Sequence, residues 1–241
     1  MLASGDIADA TVAILAGGLG TRLRPVVADR PKVLAEVRRR PFLAYLLDQL
    51  VNAGLKYAVL CTGYMGEQVR AAFGDTYGCL HLFYSQESSP LGTAGALRLA
   101  LPLFKSDFVL VMNGDSFSNV NLSAFWAWHC EHNANATLVL TKMLDTTRYG
   151  RVHVDADGSV VGFDEKTEKR GPGWINAGIY LLNHRLLLTI PASGTVSLER
   201  EMFPAWMGRG LYGYQSKGRF LDIGTPEAYA NAEQFFSLGL G

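Results

Sequence analysis

The residues with the clearest chemical meaning lie in the glycine-rich segment Leu15–Pro25, which reads LAGGLGTRLRP and follows an apolar run. Glycines let the backbone turn sharply and bring its N–H groups close to a ligand. Arg22, Arg24 and Lys32 add fixed positive charge around this turn. Backbone donors and clustered cations suit a polyphosphate, so the segment predicts a binding site for a nucleoside triphosphate.

This segment differs from two common phosphate-binding loops. A Walker A loop would continue with Gly-Lys-Ser or Gly-Lys-Thr, which do not follow here. A dinucleotide-binding loop opens directly into a helix, and Pro25 disfavours an immediate helix. The remaining alternative is a plain glycine-rich turn with exposed arginines, although clustering cations without an anion costs free energy.

Two aspartates are candidate metal ligands. Asp115 follows the apolar strand pattern Phe108–Met112, and ligands of parallel sheets bind beyond the carboxyl ends of the strands. Asp222 lies in the segment FLDIGTP. A carboxylate pair fits Mg²⁺, which prefers oxygen ligands and keeps waters and substrate phosphates in its shell. Alternatively, Asp115 caps the following helix and Asp222 pairs with an arginine.

These motifs together resemble the signature of the sugar-phosphate nucleotidyltransferases, and the resemblance covers residues 11–236. In that family the loop backbone wraps the triphosphate, which assigns nucleotide contacts to Leu15, Ala16, Gly17, Gly18, Gly20, Thr21 and Arg22. The resemblance further implies that Arg22 holds the phosphates that leave as pyrophosphate and that Lys32 contacts phosphate near the reacting centre. Asp115 and Asp222 match the metal-binding aspartates of the family. Such a charge clamp would stabilise the departing pyrophosphate.

The segment Gln86–Gly95, between a predicted strand and a predicted helix, is the candidate base pocket. The resemblance assigns nucleotide contacts here to Glu87, Gly92 and Thr93. A carboxylate only accepts hydrogen bonds and guanine offers two adjacent donors, so Glu87 favours GTP over a thymidine nucleotide. Relatives that use pyrimidines also carry a glutamate near this position, and the glycines alone are compatible with a simple helix start.

The second half of the chain supplies the candidate sugar-phosphate pocket. By resemblance, its contact residues are Gly150, Glu165, Lys166, Asn176 and Gly178. Lys166 is expected to hold the phosphate of the sugar and joins Arg22, Lys32 and the two aspartates as a catalytic residue. The alternative for Glu165 and Lys166 is a solvated pair of charges in a turn. Buried sugar hydroxyls need hydrogen-bond partners, which explains the polar character of this set.

The amino-acid sequence of residues 145–182 most resembles that of the D-glycero-D-manno-heptose 1-phosphate guanylyltransferases. This resemblance implies GTP and that heptose 1-phosphate as substrates. Mannose, glucose or N-acetylmuramate 1-phosphate, with another nucleoside triphosphate, are the alternatives. Residues 26–30 depart from the pattern of the mannose- and glucose-specific members, which weakens any transfer of their specificity.

Alternating strand and helix patterns must position these residues. In the first half, the predicted strands are Val12–Ala16, Tyr57–Thr62, His81–Ser85 and Phe108–Met112, and the predicted helices begin at Pro41, Glu67 and Thr93. Such alternation predicts a parallel sheet covered on both faces. The second half predicts strands at Thr137–Lys142, Arg151–Val154, Val160–Asp164 and Ile175–Leu182, and helices at Asn121–His132, Leu198–Met207 and Glu227–Phe236.

We therefore expect a single-domain, Rossmann-like three-layer α/β fold with a mixed, mostly parallel central sheet, as in GT-A-like nucleotidyltransferases. The domain is expected to span residues 11–241 and to follow a poorly ordered extension, residues 1–10. His129 and His132 share a helix face at a spacing that could hold a metal, but no third ligand is spaced to join them. We therefore interpret them as structural residues.

Composition limits the classes of partner. Lys and Arg number 22 and Asp and Glu number 22, and this zero net charge argues against a nucleic-acid or membrane-surface binder. Three cysteines without a CxxC pair favour reduced thiols and hence the cytoplasm. The first residues lack the basic and apolar regions of a signal peptide. Exposed aromatic residues are compatible with a homodimer.

Two functions of other classes remain open from the sequence. A metal-dependent glycosyltransferase shares this kind of fold but usually carries Asp-x-Asp, whereas Asn113-Gly-Asp115 has one carboxylate. A catalytically silent nucleotide-sugar sensor would not need a clamp for the leaving group, so the presence of Arg22, the lysines and both aspartates argues against it. Release of pyrophosphate from GTP and a sugar 1-phosphate separates all three.

Overall fold

The computed structural model describes residues 6–164 and 171–237 of the chain. The strands are β1 (Thr11–Leu15), β2 (Glu36–Val37), β3 (Arg40–Pro41), β4 (Tyr57–Thr62), β5 (Thr76–Tyr77), β6 (Leu80–Gln86), β7 (Phe108–Asn113), β8 (Ser116–Ser118), β9 (Ala136–Met143), β10 (Arg151–Val154), β11 (Val160–Asp164), β12 (Gly173–Asn183), β13 (Leu211–Ser216) and β14 (Phe220–Asp222). The helices are α1 (Phe42–Asn52), α2 (Gly66–Phe73), α3 (Gly92–Ala100), α4 (Leu122–Glu131), α5 (His184–Leu187), α6 (Phe203–Trp206), α7 (Pro226–Ala230) and α8 (Ala232–Ser237). None of these described helices is both long and apolar enough to span a membrane.

The central sheet is built around four parallel neighbours in the order β7-β1-β4-β6. Along β1, Val12 and Ile14 pack into one hydrophobic core and Ala13 packs into a second core on the opposite face. Helices cover both faces, which explains why these strands are continuous apolar runs. The predicted three-layer α/β fold with a mixed, mostly parallel central sheet is confirmed.

Strand β12 joins the parallel half of the sheet to the antiparallel half. Its residues Ile179–Asn183 pair with β7, and its earlier residue Ile175 pairs with β10. Strand β9 pairs with both parts of β12, and the register shifts between Asn176 and Tyr180. This bulge therefore lies where the pairing with β7 gives way to the pairing with β10, next to the carboxyl end of β7.

A separate two-stranded ladder lies beside this end of the sheet. Strands β8 and β14 pair antiparallel, with Ser116 opposite Asp222. The sequence pattern did not indicate either strand, because each is only three residues long and carries too little periodicity to detect. The ladder brings the late segment around Asp222 to the segment that follows β7.

The other differences from the predicted elements have local causes. The predicted helix Leu198–Met207 is a π-helical turn over Leu198–Met202 followed by α6, and Pro204 has no N–H to donate to the preceding turn. The predicted helix Glu227–Phe236 is divided at Asn231 into α7 and α8. Strand β13 was not predicted because Gly213 weakens its strand pattern.

Residues 6–10 pack against the domain. Ile7 and Ala10 are buried, and the Asp6 carboxylate accepts a hydrogen bond from the N–H of Ala8 at the start of a short 3-10 turn. Residues 1–5 lie outside the described part of the chain. The boundary at residue 11 stays a prediction.

The buried imidazole of His129, on α4, generates a prediction about stability. Its Nδ1 lies 2.7 Å from the hydroxyl oxygen of Thr137, and its buried Nε2 has no partner among the described residues. Burial, with a smaller contribution from the charge of His132, lowers the pKa of His129 to about 4. The folded state therefore resists protonation of this ring, whereas the unfolded state protonates near pH 6.5.

We expect the free energy of unfolding to fall as the pH drops from about 6.5 to about 4, by roughly 3 kcal/mol from this group. His129→Gln should flatten this slope in urea unfolding series measured across that pH range. The same substitution at the exposed His81 is the control and should keep the slope. An unchanged slope in His129→Gln would show that other groups cause the acid sensitivity.

Candidate active site

The glycine-rich loop follows β1 and forms one wall of a cavity of about 270 Å³ at the carboxyl ends of the parallel strands. The loop is anchored where the N–H of Ala16 donates to the carbonyl of Cys61 at 2.8 Å. Gly18 is exposed and has open space where a side chain would be. Predicted nucleotide contacts that line this cavity are Leu15, Ala16, Gly17, Gly18, Glu87, Gly92 and Thr93. Gly20 lines a small neighbouring crevice, and Thr21 is exposed outside both.

Glu87 reaches the glycine-rich loop from the end of β6. A Cβ atom on Gly17 would lie only 2.9 Å from its Oε1, so a side chain at position 17 would displace the Glu87 carboxylate. Its Oε2 accepts a hydrogen bond from the N–H of Leu91 at 3.0 Å. Burial raises the pKa of Glu87, and the Leu91 N–H opposes that shift. The carboxylate is thus a fixed acceptor on the cavity wall, as the base-pocket prediction requires.

Helix α3 begins at Gly92, beside the same cavity. Gly92 has a φ of 76°, and a Cβ atom there would lie 2.4 Å from the carbonyl oxygen of Val196. Glycine is therefore required by the packing of this helix start on the chain near Val196. The Thr93 hydroxyl donates to Glu199 at 2.8 Å and accepts from the N–H of Leu198 at 2.8 Å. Thr93 lines the cavity while fixing the π-helical turn behind it.

Four charged residues converge where the smaller cavity meets a larger one of about 620 Å³. Asp115 lines both cavities, and Lys32 forms an ion pair with it. The β8–β14 ladder brings Asp222 to this point, where the N–H of Ile223 donates to the Asp115 carbonyl at 3.0 Å. Arg22 lines the larger cavity together with Asp222.

Asp115 does not cap helix α4, and among the described residues no arginine nitrogen lies within 4.0 Å of the Asp222 carboxylate. The cap of helix α4 is Asn121, whose side chain accepts from the N–H of Ala124, rather than Asp115. The Asp222 carboxylate accepts from the N–H of Gly224 at 2.5 Å.

Arg24, grouped with the loop cations from the sequence, lies over the ring of Tyr64 at 4.9 Å from its centroid.

The two aspartates repel each other in a partly buried setting. Burial raises the pKa of Asp222, and the charge of Asp115 raises it further. The N–H of Gly224 and the cations of Lys32 and Arg22 act in the opposite direction. Because the raised pKa shows that the repulsion is only partly compensated, the site favours binding of an additional cation.

The donor set fits Mg²⁺. Asp115 and Asp222 supply carboxylate oxygens, and the described residues bring no third carboxylate, histidine or thiol into a cluster with them. Mg²⁺ commonly takes one or two carboxylates and completes its shell with waters and substrate phosphates. The remaining positions around the pair open into the two cavities, where such phosphates would lie.

The larger cavity contains the described part of the predicted sugar-phosphate site. Gly150, Asn176 and Gly178 line it, whereas Glu165 and Lys166 lie outside the described residues. Asn176 is held on both sides, since its Oδ1 accepts from the N–H of Gly178 and its Nδ2 donates to the Tyr180 hydroxyl.

Several lining residues were missed by sequence reasoning. They are Asn113, Ser116, Arg151, Glu199 and Arg200. Asn113 ends β7 and lines both cavities, and the rule that placed Asp115 beyond this strand applies to it as well. Ser197, two residues before Glu199, is a residue type that predicts a helix start, but nothing local indicates that this turn lines the same cavity as Asn176.

Comparisons with known proteins agree with this geometry. The family model described as "Nucleotidyl transferase" matches residues 11–237. The chain belongs to this family. The family assignment confirms the resemblance predicted from the glycine-rich loop and the two aspartates.

Two curated relatives and one solved structure extend the comparison. The mannose-1-phosphate guanylyltransferase of Mycobacterium tuberculosis is 36% identical over 90% of this chain, which spans 61% of that relative's length. The D-glycero-alpha-D-manno-heptose 1-phosphate guanylyltransferase of Aneurinibacillus thermoaerophilus is 35% identical over 92% of this chain and 96% of its own length. HddC from Yersinia pseudotuberculosis, crystallised with GMP-PN, has a TM-score of 0.84 at 29% identity, covering 94% of this chain and 99% of that chain.

The repulsion at the carboxylate pair generates a prediction about the metal-free protein. Asp222→Asn should raise the free energy of unfolding by about 1 kcal/mol, because it removes a buried like charge while keeping the oxygen that accepts from Gly224. The gain should grow as the pH rises, since the raised pKa of Asp222 means that its ionisation destabilises the folded wild type.

Thermal unfolding in chelator, with and without added Mg²⁺, measures both effects. Wild type should gain stability from Mg²⁺, and Asp222→Asn should gain much less. A variant that is less stable than wild type in chelator, or equally stabilised by Mg²⁺, would contradict this assignment of Asp222.

Proposed function

We propose that this protein transfers GMP from GTP to a sugar 1-phosphate and releases pyrophosphate. The observation that carries the proposal is the convergence of Arg22, Lys32, Asp115 and Asp222 at the junction of two cavities. One cavity has the glycine-rich loop as its wall and the other has the polar groups suited to a sugar. Two anionic substrates would meet where the charges are concentrated.

In this mechanism, GTP occupies the smaller cavity with its phosphates over the exposed backbone of Gly18. A phosphate oxygen of the sugar 1-phosphate attacks the α-phosphorus in line. A new P–O bond forms on one side as the bond to the β-phosphate oxygen breaks on the other, and pyrophosphate leaves with that electron pair. The chemistry needs no protein nucleophile, so the protein acts by positioning and charge.

The charged residues have distinct proposed roles. Asp115 and Asp222 would hold Mg²⁺, which supplies charge stabilisation at the phosphates when bound. Lys32 and Lys166 reduce the repulsion between the two anionic substrates, and Arg22 stabilises the charge that develops on the leaving pyrophosphate. The family resemblance implies the roles of Arg22, Lys32 and Lys166, and the positions of Arg22, Lys32, Asp115 and Asp222 near the cavity junction support the proposal.

The choice of GTP is supported by Glu87 and by the relatives. The Glu87 carboxylate faces the smaller cavity and can accept from the N1–H and N2–H₂ groups of guanine. The mannose and heptose relatives are guanylyltransferases by name, and HddC was crystallised with GMP-PN.

The first candidate for the sugar is D-glycero-alpha-D-manno-heptose 1-phosphate. The relative of that name matches this chain over nearly its whole length, whereas the chain spans about three-fifths of the mannose-specific relative. Mannose 1-phosphate is the second candidate, because identity to the two relatives is almost equal. A cytoplasmic location belongs to the proposal too, since Cys61, Cys79 and Cys130 are free thiols.

A matrix of four nucleoside triphosphates against several sugar 1-phosphates, read by pyrophosphate release, tests the function. GTP with heptose or mannose 1-phosphate should give the highest rate, and omission of Mg²⁺ should abolish it. Asp115→Asn should lower kcat by two or more orders of magnitude, as expected for loss of a metal ligand.

The control for this series is Asp75→Asn, which removes an exposed carboxylate that pairs with Arg70 far from the cavities. It should retain wild-type turnover, and circular dichroism should show that Asp115→Asn is folded. Near-normal turnover in Asp115→Asn would remove Asp115 from the mechanism. Sugar transfer from a nucleotide-sugar without pyrophosphate release would favour the glycosyltransferase alternative.

Glu87 generates a separate prediction about base selection. Inosine triphosphate lacks the N2 amino group, so wild type should prefer GTP over it by roughly tenfold or more in kcat/KM, the worth of one hydrogen bond to a charged group. Glu87→Gln should reduce this preference mainly through a higher KM for GTP. A preference that stays at the wild-type value would show that the guanine amino group is recognised elsewhere.

A further inference from the structure

The π-helical turn Leu198–Met202 carries two charged side chains to the larger cavity. Ser197 caps the turn, with its hydroxyl oxygen accepting from the N–H of Arg200 at 3.2 Å. Both Glu199 and Arg200 line the cavity. Such π-helical turns are rare and are frequently found at functional sites. The feature that needs explanation here is the carboxylate of Glu199.

The two oxygens of the Glu199 carboxylate differ in the hydrogen bonds that they accept. Its Oε2 accepts from the hydroxyls of Thr93 at 2.8 Å and Ser197 at 2.9 Å. From the described residues, its Oε1 accepts a single contact, which comes from the Tyr180 hydroxyl and is long, at 3.4 Å. An ionised carboxylate has about four acceptor positions, so Oε1 keeps capacity for further donors.

Among the residues that the structure describes, no cation within 4.0 Å neutralises the charge of Glu199. Across residues 6–164 and 171–237, the ion pairs within 4.0 Å join other residues and none involves Glu199. A half-buried carboxylate is costly unless donors satisfy it. Neutral hydroxyl donors already hold one of its oxygens, and a ligand rich in hydroxyls would satisfy the other in the same way.

The cations of the cavity set the orientation of such a ligand. Arg148 lines the cavity, and its guanidinium donates at 2.9 Å to the hydroxyl of Thr225, which lies three residues after Asp222. The phosphate of a sugar 1-phosphate belongs at this cationic end. Glu199 would repel the phosphate, so it lies toward the hydroxyl-bearing part of the sugar.

We propose that Glu199 is a specificity-determining residue that accepts hydrogen bonds from hydroxyls of the sugar 1-phosphate through Oε1. The proposal rests on the proposed function, and nothing in the sequence or the comparisons assigns it. Its bond to Thr93, which lines the nucleotide cavity, fixes the carboxylate relative to the nucleotide. The sugar is thereby selected by a group whose position depends on the start of α3.

Deoxyfluoro sugars test this role, because fluorine replaces a hydroxyl with little change in size but cannot donate a hydrogen bond. The probes are mannose 1-phosphate and a set of its derivatives, in each of which a different single hydroxyl group is replaced by fluorine. We expect wild type to lose about 10- to 100-fold in kcat/KM with at least one derivative, the range for a hydrogen bond to a charged group.

In Glu199→Gln, kcat/KM for mannose 1-phosphate should fall by a similar factor, and the penalty for that derivative should shrink toward one. KM for GTP should stay at the wild-type value. Glu201→Gln is the matched control: it lies two residues away, is exposed, and accepts from the N–H of Ser197 without lining the cavity. It should behave as wild type with every sugar.

Four results would overturn the proposal. Glu199→Gln with an unchanged fluorine penalty would show that Glu199 only stabilises the turn, and a raised KM for GTP with unchanged sugar selection would show that it acts through Thr93. If the glutamine variant does not fold, Glu199→Asp supplies the comparison, and an unaltered penalty there is equally decisive. A wild type that releases no pyrophosphate from any pair would overturn the proposed function and this inference together.

Discussion

The site depends on one electrostatic constraint, the repulsion between two aspartates that the backbone holds side by side. Asp115 lies just beyond β7, and the β8–β14 ladder fixes Asp222 next to it through backbone pairing. The backbone hydrogen bonds do not depend on the charge of either side chain, so they keep the two residues adjacent despite the repulsion. Lys32 and Arg22 compensate part of it, and the rest creates affinity for a further cation.

The position of Asp115 also depends on a steric requirement for glycine at the preceding residue, Gly114. A Cβ atom on Gly114 would lie 2.8 Å from the carbonyl oxygen of Leu15, at the ends of two neighbouring parallel strands. A larger residue would force β1 and β7 apart and would move Asp115 away from the glycine-rich loop. The glycine between Asn113 and Asp115 therefore sets the distance between the glycine-rich loop and Asp115.

The parts of the site that lie at strand ends could be predicted from the sequence, and the parts that depend on pairing between distant segments could not. Asp115 follows a long apolar strand, so a general rule about parallel sheets locates it. Asp222 lies on a three-residue strand whose partner is far away in the chain, and only the family resemblance indicated it. Glu199 carried neither signal, because its position depends on a bond to Thr93, 106 residues earlier.

The two cavities are lined by different elements but share some residues. The shared residues must stay constant, whereas the residues specific to each wall can vary. In the proposed function, base selection would depend on the end of β6 and the start of α3, and sugar selection on the β12 bulge and the π-helical turn, which line different cavities. Asp115 and Asn113 are shared by both cavities. A change in one wall leaves the shared charges in place, so a new sugar or a new base can be accommodated without rebuilding the reacting centre. The bond between Thr93 and Glu199 is the exception, since it joins the two walls and would make the proposed sugar selection depend on a residue that lines the smaller cavity.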